Sequence, residues 1–109
     1  MIEDSQITGL RTICAQPEQV SEGGATYVFL PSIKVMVAGM TRILDALLCP
    51  GPHNGYTSRV FLSAPVPERG ANWSQWQILG RTWHTWSWQN VPANLPWIQI
   101  VLEHLRALR

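Results

Sequence analysis

His84 lies in the run Arg81-Thr82-Trp83-His84-Thr85-Trp86-Ser87-Trp88, with hydroxyl side chains on both sides of an imidazole. An imidazole titrates near neutral pH and can take a proton from a neighbouring hydroxyl, the first requirement for acyl transfer to Thr82, Thr85 or Ser87. The competing reading is a strand or loop histidine packed between indoles, since no carboxylate in the run stands ready to orient the ring. Cys49 is the second candidate nucleophile. It precedes Pro50-Gly51-Pro52-His53, and a thiolate there would both attack and leave well. As a neutral thiol it is a small apolar core residue. Cys14 sits in a weakly patterned stretch, His53 and Asn54 in a turn, and His104 near a helix C-terminus where positive charge is favoured. No His or Cys pair has metal-ligand spacing. Gly23-Gly24 precedes a strand, the wrong context for a phosphate loop. No metal and no cofactor is implied.

Most of the six tryptophans crowd the same region: Trp73, Trp76, Trp83, Trp86 and Trp88, with Trp97 beyond. Trp73 and Trp76 are three apart, as are Trp83 and Trp86, while Trp86 and Trp88 alternate. No single period fits, so the stretch reads as a packed irregular segment. Indoles fill small cores and need a partner for the N–H. So many in a small domain should leave some at the surface, where they act as binding hot spots. Trp73, Trp76, Arg81, Trp83, Trp86 and Trp88 are the candidate binding residues, with Trp73 or Trp76 expected to stay partly exposed.

The elements that must position these residues are short. Residues 1–20 form a weakly patterned arm, and Ser21-Glu22-Gly23-Gly24 reads as a turn. Thr26–Leu30 is a strand that Pro31-Ser32 breaks. Ile33, Val35 and Val37 alternate with Lys34 and Met36 in a second, half-buried strand, and Ala38-Gly39-Met40 turns the chain. Thr41–Cys49 fits strand or helix spacing and is read as strand from its neighbours. Ser58–Ala64 is a further strand, with Val60 and Leu62 on one face and Phe61 on the other. A long loop opens at Pro65. Asn94 is a suitable N-cap and Pro96 suits a first helical turn, predicting a helix to about Leu108. Its apolar stripe is Leu95, Ile98, Leu102, Leu105 and Leu108, widened by Val101.

The chain has 109 residues, 46% hydrophobic and 14% charged, with formal net charge +1. That suits one folded domain over residues 1–109 and gives no electrostatic case for nucleic acid or an acidic membrane. No apolar run reaches membrane-spanning length and the acidic start has no signal core, so the expectation is a cytoplasmic protein with reduced thiols.

Three stretches in order carry a resemblance: Glu22-Gly23-Gly24 leading into Thr26–Leu30; Leu47-Leu48-Cys49-Pro50 followed by Gly55-Tyr56 and Arg59-Val60-Phe61-Leu62; and Gly80 to Ser87 followed by the terminal helix. Together they resemble the prokaryotic branch of the ubiquitin-conjugating-enzyme-like (UBC-like) superfamily, in particular its small bacterial family E. The resemblance implies an α+β fold, an antiparallel β-meander of about four strands packed on a C-terminal helix. It implies work beside a ubiquitin-like modifier and a ThiF-type activating enzyme, with a Jab-type metalloprotease in the same pathway. It places the active-site stretch at Gly80–Trp88. That stretch has no cysteine, a departure from the thioester-carrying members. Two readings follow. One is a transferase that receives or positions the modifier, using His84 with Thr82, Thr85 or Ser87, or else Cys49. The other is an inactive adaptor that binds the modifier or activating enzyme through its tryptophan-rich segment.

Overall fold

The computed structural model describes residues 2–37, 39–51, 56–64, 73–86, 91 and 94–106. Its elements are α1 (Ile2–Leu10), β1 (Glu18–Glu22), β2 (Ala25–Val37), β3 (Met40–Cys49), β4 (Arg59–Leu62), β5 (Trp73–Ile78), β6 (Arg81–Trp86) and α2 (Trp97–Arg106). All six strands form one antiparallel sheet in the order β1-β2-β3-β4-β6-β5. The class is α+β, but the sheet has six strands where the sequence reading allowed about four. One extra strand, β1, is a polar edge (Glu-Gln-Val-Ser-Glu) with a single apolar residue, so no alternation marks it. Its carboxylates suit an edge, where charge discourages pairing with a second chain. Among the described residues, no helix is long and apolar enough to cross a membrane.

Pro31-Ser32 does not end a strand. Leu30 pairs with Ala46 and Ile33 with Leu44, so two residues of β2 oppose the single residue Asp45 of β3. This is a β-bulge, a place where a strand tolerates proline. Ser32 sits in the left-handed region at φ 56°, and its N–H donates to Asp45 Oδ1 at 2.9 Å. That bond compensates part of the conformational cost.

The sheet buries both faces. Val28, Leu30, Ile33, Val35, Ala46, Leu48, Val60 and Leu62 face the helices and pack with Leu10, Cys14, Ile100 and Val101. Tyr27, Leu47, Cys49, Phe61, Ile78 and Trp83 form a second core on the opposite face. The predicted split of Val60 and Leu62 from Phe61 is borne out. The two buried thiols are free and lie in different cores. The second core exists because the sheet curls. Phe29 on β2 and Trp83 on β6 are three strand spacings apart, about 14 Å in a flat sheet, yet their rings meet edge to face at 6.1 Å.

The C-terminal helix starts later than Asn94 implied. The backbone N–H of Trp97 donates to the Gln6 side chain of α1 at 3.0 Å, so the neighbouring helix supplies the cap. Its buried face is also rotated from the predicted stripe. Ile100, Val101 and His104 are buried, whereas Leu102 is 44% exposed. Leu108 lies outside the described residues. Ile98 is drawn toward α1, where a Cβ built on Gly9 would come within 3.4 Å of it.

His104 is the unexpected core residue. Ser58 Oγ donates to the Val91 carbonyl at 2.8 Å and stands 3.1 Å from His104 Nε2. With its own hydrogen committed, the hydroxyl accepts from the imidazole N–H. Burial, and then the nearby Arg59 charge, push the His104 pKa from 6.5 down to about 4. The ring is therefore a neutral donor, not the dipole-balancing cation expected of a helix end. Its linkage to stability has a definite sign. Above pH 6.5 neither folded nor unfolded chain protonates it; between 6.5 and about 4 only the unfolded chain does. Stability should be full at neutral pH and fall by up to about 3 kcal/mol as the pH drops through that window. Urea titrations of wild type and His104→Leu should show the variant losing much less stability over the same range.

Candidate functional site at the tryptophan hairpin

The irregular segment expected at Trp73–Trp86 is an antiparallel hairpin. Trp73 pairs with Trp86, Gln75 with His84, Trp76 with Trp83, and Ile78 with Arg81. Strand alternation explains the uneven tryptophan spacing. Trp73 and Trp86 face the helices, their rings 5.3 Å apart, while Trp76, Ile78 and Trp83 face the concave core. An odd separation along a strand reverses the face and an even one keeps it. Trp73 and Trp76, three apart, therefore lie on opposite faces, as do Trp83 and Trp86.

Leu79-Gly80 closes the hairpin with φ values of 56° and 71°. Positive φ at both central residues is the two-residue geometry that matches strand twist, and Asn-Gly satisfies it best. A leucine there costs roughly 1–2 kcal/mol. Nevertheless its side chain remains 38% exposed.

The tip of the hairpin reaches across the curled sheet. The Leu79 N–H donates to Glu22 Oε2 of β1 at 2.6 Å. Arg81 lies over the Trp83 ring, 4.6 Å from its centroid, and donates to Asp45 Oδ2 of β3 at 3.0 Å. The Ser32 N–H, and then Arg81, hold the Asp45 carboxyl below the usual carboxylate range. The Trp83 indole N–H donates to the Ile78 carbonyl within the hairpin at 3.2 Å. Between the tip and β1 a cavity of about 280 Å³ is lined by Val20, Phe29, Leu79, Arg81 and Trp83. Deeper in the same face, Arg59 is buried with its guanidinium 4.1 Å from the Tyr56 ring centroid and 5.8 Å from that of Trp76.

The structure separates several residues that the sequence groups. On β6, Thr82, His84 and Trp86 point to one face, and Arg81, Trp83 and Thr85 to the other. Thr85 is fully buried and its hydroxyl donates to the Val60 carbonyl at 2.7 Å, which commits it to the sheet. Thr82 shares a face with His84, and its hydroxyl accepts from the Gln77 amide. Ser87 and Trp88 lie outside the described residues, as do His53 and Asn54. Trp83 and Trp86 are core residues at 1% and 2% exposure, so any contribution to binding acts through the hairpin they anchor. Trp73 and Trp76 are half-buried, as expected.

Cys49 borders a cleft of about 580 Å³ with Gln19, Thr26, Pro50 and Trp97. Its thiol is buried and donates weakly to the Gly51 carbonyl at 3.5 Å. Burial raises its pKa, outweighing the lowering by the Gly51 contact and Arg59. It is a thiol at neutral pH, the inert form. Among the described residues no cluster of three or more His, Cys, Asp or Glu side chains could hold a metal ion.

Glu22, Asp45 and Leu79 escaped the sequence reading. Asp45 alone carried a signal, as a carboxylate inside an otherwise apolar strand. No family model, curated protein or solved structure matches this chain.

The strained turn yields a direct test. Leu79→Asn should raise stability by about 1 kcal/mol, because Asn tolerates the left-handed conformation. A shift of the urea midpoint at unchanged slope would register it.

Proposed function

We propose that the chain is a UBC-like protein of the bacterial conjugation type that binds and positions a ubiquitin-like modifier or its ThiF-type activating enzyme, non-covalently, through the tip of the β5–β6 hairpin. The observation that carries this reading is Leu79. A bulky apolar residue is kept partly exposed in a costly backbone conformation, beside a guanidinium stacked on an indole. Strain of this kind concentrates where a surface makes contacts, and arginine and aromatic groups dominate binding hot spots. The UBC-like part of the reading is supported by element order: a first helix, an antiparallel run of consecutive strands β1 to β4, and a closing helix. The non-covalent part is supported by the inward commitment of Cys49 and Thr85. A cytoplasmic setting with reduced thiols fits the two free cysteines.

The transferase reading keeps one favourable observation: Thr82 and His84 project from the same face of β6. One experiment separates the two. The chain is incubated with a bacterial ubiquitin-like protein, a ThiF-type enzyme and ATP, and both captured protein and covalent bands are scored. The adaptor reading expects capture without a covalent band. Arg81→Ala or Leu79→Asn should weaken capture about tenfold or more, the loss typical of a hot-spot residue, while Cys49→Ala and His84→Ala leave it unchanged. A band stable to thiols, cleaved by hydroxide and absent in Thr82→Val would replace this reading with oxyester transfer. Neither capture nor a band would sink both.

A further inference from the structure

The β5–β6 hairpin is attached unevenly. Its root is anchored, with Trp73 and Trp86 packed in the helix-side core and Trp86 edge-on to His104 at 6.4 Å. Beside the root, and among the described residues, β6 joins β4 through one registered residue pair, Leu62 with His84. Next to it the Thr85 hydroxyl donates to the Val60 carbonyl. Beyond His84 the tip overhangs, because β4 ends at Leu62 while β6 begins at Arg81. Among the described residues, two hydrogen-bonded side-chain links, besides the apolar contact of Trp83 with Phe29, tie the overhang to distant strands: Glu22 to the Leu79 N–H, and Asp45 to Arg81. Both are exposed, and beneath them lies the aromatic interior with the 280 Å³ cavity at its mouth.

We infer that the hairpin is a latched flap: its tip swings away from the concave core about the Leu62–His84 seam while its root stays packed, and Glu22 and Asp45 add to the apolar packing of Trp83 and Ile78 in holding it shut. The seam is the pivot because, among the described residues, one registered pair joins β6 to β4 and the tip extends past the end of β4. Each latch is a single exposed contact, one an ion pair that salt screens and the other a carboxylate-to-amide hydrogen bond, so losing either raises the rarely populated open state only modestly. Opening withdraws Trp83 and Ile78 from Phe29, Phe61 and Leu47 and gives solvent access to that face, leaving the helix-side core intact. The device is independent of which protein the tip contacts.

The two native thiols report on it, because Cys49 lies in the concave core and Cys14 in the helix-side core. Thiol alkylation of the full chain under native conditions, quantified by mass spectrometry, gives a rate for each. Arg81→Ala and Glu22→Ala should each speed labelling of Cys49 about two- to fivefold, the range of an exposed ion pair or a single exposed hydrogen bond, with Cys14 unchanged. Raising salt on the wild-type chain should act in the same direction. Because Cys49 also borders a surface cleft, a Leu47→Cys, Cys49→Ala chain moves the probe to a fully buried position of the same core, where it should respond to both latch substitutions alike. Equal acceleration of both native thiols would mean global unfolding and would overturn the flap. So would a Leu47→Cys probe indifferent to the latches, or wild-type Cys49 labelling indifferent to salt.

Discussion

The edge-to-face contact of Phe29 with Trp83 sets the rest of this structure, because it can form only if the sheet coils. A six-stranded sheet with helices on one face leaves the other face wet. Here that face is apolar, with Tyr27, Leu47, Cys49, Phe61, Ile78 and Trp83 buried along it. Coiling brings the last hairpin over the first strands and turns an exposed face into an interior. In area terms each such side chain contributes roughly 1.5–3 kcal/mol, so closure is strongly favoured. It also draws in Arg59, which is accommodated between Tyr56 and Trp76. A small chain thus obtains two cores from one sheet.

Closure has a geometric consequence at the hairpin tip. A strand that curls past the end of its neighbour loses the backbone ladder there, and side chains take over. Glu22 satisfies the Leu79 N–H. Asp45, already fixed by the bulge at Ser32, satisfies Arg81. The bulge and the latch are therefore one device. The extra residue that lets Pro31 stay in a strand sets a carboxylate between the Ser32 N–H and the Arg81 guanidinium. Proline at position 31 and arginine at position 81 are linked through the same side chain.

The sequence made some of this readable and concealed the rest for physical reasons. The alternation in Ile33–Val37 was visible because Ile33 and Val35 are buried in the helix-side core while Lys34 is exposed, and Ser58–Ala64 was visible because Val60 and Leu62 enter that core while Phe61 enters the other. The final helix was visible from its proline and leucines, and Leu95, Ile98, Val101 and Leu105 do pack in the helix-side core, but Leu102 is exposed and the centre of the buried face includes His104, a residue read as polar. The hairpin was hidden because tryptophans occupy both faces, so their spacing obscured the period of two, and because its turn uses Leu-Gly where Asn-Gly would have announced it. β1 was hidden by its polarity. Sequence proximity of His84, Thr82 and Thr85 suggested a cluster that strand geometry divides, since adjacent residues of a strand face opposite ways.

The distribution of chemically capable groups bears on function more than any one of them. Ser58 and His104 stand at hydrogen-bond distance, a pairing that in a cleft would suggest a nucleophile and its base. Here the serine hydrogen is given to the Val91 carbonyl and the imidazole is a neutral donor, so the pair ties α2 to the sheet. Thr85 ties β6 to β4, and both thiols are buried. Each of these groups is spent on internal order. At the hairpin tip the order is reversed: an apolar side chain is held outward at a conformational cost, and a guanidinium lies on an indole at a cavity mouth. Among the described residues, Cys49, Ser58 and Thr85 turn their polar atoms inward, while the backbone is strained at the partly exposed Leu79, and the latches at Glu22 and Asp45 sit beside that side chain.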